Sequence, residues 1–204
     1  MTRPDRARAV ARRLCWLTPL LASPGVAHAH LVTTGLGPIY DGIGHFLVTL
    51  EDLLVVLAAG LLAGVNGPVA GRRVLVALPV AWLAAGFIGY AAGLGLPASL
   101  VAVPLATLLG AALALGMRLS PRVMGAVAAL AGLVHGFVNG ATLLATARPL
   151  LEILGTVLAV LMLLGPVAAL PVRFAAPWVS VVCRVAGAWI VAIGVLLFGW
   201  LIRG

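Results

Sequence analysis

The sequence predicts an all-α membrane protein, a polytopic bundle of six transmembrane helices behind a cleavable signal peptide. Three observations lead there. Hydrophobic residues make up 63% of the 204 positions and charged residues only 9%, against roughly 25% charged in a soluble domain; mean hydropathy is +1.21. Apolar runs of bilayer length recur, separated by short breaks rich in Pro, Gly and Arg. Most arginines beyond the amino end fall in alternate breaks, as the positive-inside rule requires of a chain threaded back and forth. A water-soluble globule and a disordered chain are both excluded. The formal charge of +8 comes from 13 arginines, without a lysine, against five acids. It predicts no nucleic-acid partner, because the apolar runs leave no solvated face for a basic groove. The partners it does predict are membrane lipid and a small ion.

The elements follow in order. Five arginines and Asp5 precede residue 14, an apolar stretch interrupted by Pro19 and Pro24 follows, and Ala27-His28-Ala29 closes it. Basic start, short apolar middle and small-residue site together read as a secretory signal over residues 1–29. Its apolar part falls short of the roughly 20 residues a span needs. Cleavage after Ala29 makes His30 the new amino terminus and removes Cys15, leaving Cys183 without a partner for an intrachain disulfide. Residues 30–42 form an extracytoplasmic linker. Residues 43–204 hold six spans, placed near 43–65, 74–96, 98–117, 123–145, 150–172 and 178–202, with ends uncertain by several residues. Asn66-Gly67-Pro68, Pro97, Ser120-Pro121, Arg148-Pro149 and Pro177 punctuate them.

Arg72, Arg73, Arg118, Arg122 and Arg173 lie on one side, with Arg184 just inside the last helix; Arg148 and Arg203 lie on the other. The first side is therefore cytoplasmic and both mature termini face outward from a bacterial-type inner membrane. Arg184 and Arg203 read as snorkelling to headgroups. Gly60/Gly64, Gly89/Gly93 and Gly132/Gly136/Gly140 are spaced for close helix packing.

Polar side chains at membrane depth carry the functional expectation, since an ionisable group there costs at least ~2.5 kcal/mol. The first span holds His45, Thr49, Glu51 and Asp52. At ~100° per residue, Thr49 lies ~40° to one side of His45 and Asp52 ~20° to the other, one shared face. Glu51 lies ~120° away and needs another partner. The fourth span holds His135, Asn139 and Thr142 on one face. Depth relates the two. Entering from outside, the first span puts Asp52 roughly 13 Å in, and the outgoing fourth span puts His135 roughly 15 Å and Asn139 about 9 Å from its outer end. If the two helices are antiparallel neighbours, His135 faces Asp52 and Asn139 lies nearer His45. Imidazole and carboxylate together suit nickel, cobalt, zinc or copper. The candidate metal residues are His30, His45, Asp52, His135 and Asn139, with Thr49, Glu51, Thr142 and Glu152 as a supporting shell. Glu152, four residues after Arg148, also reads as half of a helix-start ion pair. His30 is a capture ligand on this view, its free amine and ring nitrogen closing a chelate that favours copper or nickel.

Ala-His-Ala followed by His30, the run from Gly44-His45 to Glu51-Asp52-Leu53-Leu54, and His135-Gly136-Phe137-Val138-Asn139-Gly140 resemble the HupE/UreJ family. The resemblance implies a small six- to eight-span permease that supplies nickel or cobalt for hydrogenase and urease. Its motifs read His-x5-Asp-His and His-Gly-x-x-His-Gly, with the histidines as metal ligands. His45 and His135 match the leading histidines. Glu51 stands at the family Asp, Asp52 at the following His, and Asn139 at the later His, so half of the imidazoles give way to oxygen donors. The resemblance further implies partners in a metalloenzyme maturation system, or a second copy of the chain.

The first functional expectation is secondary transport of a divalent transition metal, nickel or cobalt, through a His/Asp-lined site. The alternative is a non-translocating metal-binding accessory or sensor, with copper as a candidate metal. An enzyme is not expected: the sequence has no phosphate-binding Gly-x4-Gly-Lys, no Gly-x-Ser-x-Gly and no His-Glu-x-x-His. No permanently bound cofactor is expected either, only the transported ion.

Overall fold

The computed structural model describes residues 33–94, 99–174 and 176–203. Residues 1–29, expected to be a signal peptide, and His30 lie outside them. The described residues are helical and contain no strand: α1 (Pro38–Val48), α2 (Leu50–Val65), α3 (Pro68–Ala92), α4 (Ser99–Ala114), α5 (Pro121–Thr142), α6 (Pro149–Arg173) and α7 (Pro177–Leu201), with a 3-10 turn at Leu143–Ala145 after α5. Every helix except α2 and α4 opens on proline. A proline ring pre-sets the helical φ and lacks an N–H that would be unpaired at that position anyway. At Pro68 this starts α3 six residues before the expected 74, behind Gly67 at φ 101°. Arg72 and Arg73 are therefore exposed residues of α3 rather than loop residues.

Helices α3, α5, α6 and α7 are each long and apolar enough to cross a membrane. Their outward faces carry exposed Val80, Ile88, Leu130, Met162 and Leu196, as lipid contact requires. Helix α4 has 16 residues, roughly 24 Å, somewhat short of the ~30 Å hydrocarbon core.

Residues 43–65, expected as one span, form two helices that meet at 78°. The break is at Thr49, whose backbone is extended (φ −86°, ψ 98°). Its N–H (3.0 Å) and its hydroxyl (2.7 Å) both donate to the carbonyl of His45, closing α1. Its own carbonyl accepts from the N–H groups of Asp52 (3.1 Å) and Leu53 (3.2 Å), opening α2. A β-branched residue fits that extended position. His45, Thr49 and Asp52 consequently share no continuous helix face.

Glycine decides which helices touch. A Cβ at Gly132, Gly136 or Gly140 would fall 2.3, 2.2 or 1.9 Å from the carbonyl oxygens of Leu78, Trp82 and Gly86, so α5 lies backbone-to-backbone on α3. In the same way Gly42 and Gly155 let α1 lie on α6, and Gly187 sets α7 against the end of α4. Gly93, expected to pair with Gly89 in packing, instead ends α3 in a left-handed cap.

The end of the bundle that carries Arg118 and Arg184 is tied by side chains reaching helix carboxyl ends. Asn66 Nδ2 donates to the carbonyls of Leu62 (2.8 Å) and Met117 (3.3 Å), while its Oδ1 accepts from the Leu119 N–H (2.8 Å). Arg118 donates to the Val65 carbonyl, the last residue of α2. Arg184 Nε donates to the Ala114 carbonyl (2.9 Å), the last residue of α4. Arg184 thus caps a helix end, in the place where a cation meets the negative end of the helix dipole, and stays exposed there.

Close backbone contact makes glycine substitutions diagnostic. Gly140→Val forces α5 away from α3 and should destabilise the folded protein by at least about 1–3 kcal/mol. Gly165→Ala meets no atom within 4 Å and should leave stability unchanged or slightly raised. Thermal unfolding of the two purified variants in detergent compares them directly.

Candidate functional site

One hydrogen-bonded chain runs through the interior. Asp52, the third residue of α2, is 1% exposed and His135 of α5 is 0% exposed. His135 Nδ1 and Asp52 Oδ1 are hydrogen-bonded at 2.6 Å. Asn139, one turn further along α5, donates through Nδ2 to Asp52 Oδ2 at 2.8 Å. On its far side Asn139 Oδ1 accepts from His45 Nε2 at 2.9 Å. His135 thus faces Asp52 and Asn139 lies nearer His45, the order that opposed depths along the two segments require. The helices carrying them are not extended neighbours, however. Helix α5 lies along α3, and α2 lies chiefly on α6 and α4, so α2 and α5 meet closely only around this cluster.

The carboxylate is stabilised in two ways. It accepts from both His135 and Asn139, and it sits in the first turn of α2, where unpaired N–H groups and the helix dipole favour negative charge by about 0.3–1 kcal/mol, and up to ~2 when partly buried. That terminus exists only because the chain breaks at Thr49.

His135 Nε2 has no hydrogen-bond partner, and neither does Trp82 Nε1; both atoms are buried. The Trp82 ring lies 5.4 Å from the His135 ring, tilted 36°, and meets Phe46 edge-on at 6.4 Å. Beside them a cavity of about 10 Å³ is lined by His45, Trp82, Asn139 and Thr156 among others, room for roughly one water. Trp82 did not figure among the sequence candidates. Its signal was its position: tryptophan in membrane proteins favours the two interfaces, and this one stands near the middle of α3.

The remaining candidates are elsewhere. Thr49 uses its hydroxyl on the break. Glu51 turns from the cluster and accepts from the Ser99 hydroxyl at 3.1 Å. Thr142 donates to the Asn139 carbonyl on its own helix at 2.8 Å. Among the described residues Glu152 forms no ion pair with Arg148; it accepts from the Thr146 hydroxyl instead. His30 lies outside the described residues. Among those residues no three of His, Cys, Asp and Glu are grouped to hold a metal ion. The arrangement supplies two imidazoles, each with one nitrogen engaged, linked by an amide and a carboxylate whose oxygens are both in use.

Fold and site define a class: a helical, multi-pass membrane protein with a histidine–carboxylate cluster sealed inside an apolar body. The chain belongs to the HupE/UreJ family, whose model, described as "HupE / UreJ protein", matches residues 18–197. It is a membrane family of transporter type rather than an enzyme family, associated with nickel and cobalt uptake. No curated protein and no solved structure matches the chain.

Removing the acceptor at the centre of this chain should be costly. Asp52→Ala strips His135 Nδ1 and Asn139 Nδ2 of their partner, at about 1–3 kcal/mol for each buried donor left unpaired. Thr142→Ala removes one bond to a carbonyl already within its helix and should cost well under half as much. Denaturation midpoints of both variants in one detergent provide the comparison.

Proposed function

We propose that the chain is a permease for a divalent transition metal, nickel or cobalt, which passes through the buried cluster of His45, Asn139, Asp52 and His135. The observation that carries this reading is His135: one ring nitrogen held by a carboxylate, the other without a partner at zero exposure. Metal-binding histidines characteristically donate their second nitrogen to a carboxylate in this manner. Imidazole nitrogen suits nickel, cobalt, zinc or copper, and suits magnesium and calcium poorly. Within that range, the family's association with nickel and cobalt uptake supports those two metals.

In the proposed topology six spans cross an inner membrane with both mature termini outside. The two bent helices α1 and α2 count as the first span and α4 as the third. The signal over residues 1–29 is cleaved, and His30 then offers an amine and an imidazole for capture ahead of α1. The complete burial of His135, at zero exposure, favours a second reading: an accessory or sensor that binds metal without passing it on. Uptake separates the two.

Cells expressing the chain should accumulate nickel or cobalt above control cells. His45→Ala or His135→Ala should abolish the excess while membrane-inserted protein stays at the parent level. Unchanged accumulation by both variants would remove the cluster from the path, and metal binding without accumulation would favour the accessory. For the topology, a reporter active only outside should work when fused after Leu96 or Gly204 and fail after Arg73 or Arg122.

A further inference from the structure

The hydrogen bonds between Asp52 and His45 have a direction. An ionised carboxylate only accepts, so with Asp52 in that form the nitrogen 2.6 Å from its Oδ1, His135 Nδ1, carries a hydrogen. The same holds at Asp52 Oδ2, 2.8 Å from Asn139. That amide must turn its NH2 toward the acid, because the reverse orientation would set carbonyl oxygen against carboxylate. Its oxygen then faces His45 Nε2 at 2.9 Å and can only accept, so this second nitrogen carries a hydrogen as well. A neutral imidazole has one N–H and one bare nitrogen. The bare nitrogens are therefore His135 Nε2, which has no partner, and His45 Nδ1.

We propose that Asp52 and Asn139 are positioning residues: together they fix the tautomers of both histidines, His135 protonated at Nδ1 and His45 at Nε2. Each ring is left with the opposite nitrogen for a transition-metal substrate. On this view the acid and the amide are not ligands, and the donor set is nitrogen. Using those nitrogens for metal rests on the function proposed above, whereas the tautomers belong to the metal-free protein and are measured there.

The full chain is labelled with 15N-histidine, reconstituted in lipid nanodiscs with a chelator present, and examined by 15N NMR, whose shifts distinguish the tautomers. The expected result is His135 protonated at Nδ1 alone and His45 at Nε2 alone. Asp52→Asn should change one of them, whichever way the new amide turns. If its oxygen faces His135, its NH2 reverses Asn139 and flips His45; if its NH2 faces His135, that ring flips instead. The double variant Asp52→Asn/Asn139→Asp exchanges acid and amide. It conserves charge, restores every donor to an acceptor, and should return both rings to the parent pattern. Nickel(II) affinity of the purified protein should fall about 10–100-fold in Asp52→Asn and recover most of that loss in the exchanged variant.

Either ring of the parent protein in the opposite tautomer, or protonated at both nitrogens, overturns the proposal, and this outcome needs no variant to fold. So does an exchanged variant that folds but leaves one ring flipped, or that regains the tautomers without regaining nickel affinity, the outcome expected of a carboxylate that binds metal directly. Tautomers that follow the variants in a protein with no nickel or cobalt affinity would uphold the positioning role and remove the metal reading.

Discussion

The contact between Asp52 and His135 is the constraint around which the interior is arranged. A carboxylate at 1% exposure in a lipid-embedded body needs compensation from several directions. It receives an imidazole N–H, an amide N–H and the amino end of a helix. The last of these accounts for the least expected feature of the fold. Were α1 and α2 one continuous helix, Asp52 would sit mid-helix among satisfied backbone groups. Ending α1 at Thr49 and starting α2 at the next residue places the acid in a first turn. Irregular backbone at membrane depth is tolerated where protein buries it or where it lines a cavity, and here it borders the polar cluster.

Close packing serves the same end. His135 and Asn139 lie on a helix whose Gly132, Gly136 and Gly140 put its backbone against that of α3. Trp82 of α3 then packs beside the His135 ring. Gly42 and Gly155 do likewise for α1 and α6, which brings Thr156 to the Gly42 carbonyl at 3.1 Å and closes the wall beside His45. Rigid helix pairs thus converge on a polar point that none of them contains alone.

Much of this was legible in the sequence. The opposed order of these residues along two antiparallel segments related Asp52 to His135 and Asn139 to His45 without coordinates, although the depths were counted along a continuous helix that the structure breaks at Thr49. Glu51 was separable from that cluster by its angle alone. The break at Thr49 was not legible: a threonine inside an apolar run commonly continues a helix, and only the acid behind it gives a reason to stop. The pairing of Glu152 with Arg148 failed because a nearby hydroxyl, that of Thr146, satisfies the acid at the start of α6. Arg184 escaped because the carbonyl it caps belongs to another helix, at a distance of 70 residues in sequence. Sequence periodicity ranks faces within one helix; it does not report which distant end a long side chain reaches.

The short α1 also bears on how the protein is made. Its 11 residues rise roughly 16 Å, about half the hydrocarbon thickness, and its packing partner α6 begins only at Pro149. Asp52 likewise waits for His135, 83 positions later. During synthesis the amino-terminal half-helix and its acid therefore emerge long before anything exists to shelter them. Final packing of α1 and of Asp52 is thus a late event, possible only once α5 and α6 have both been made.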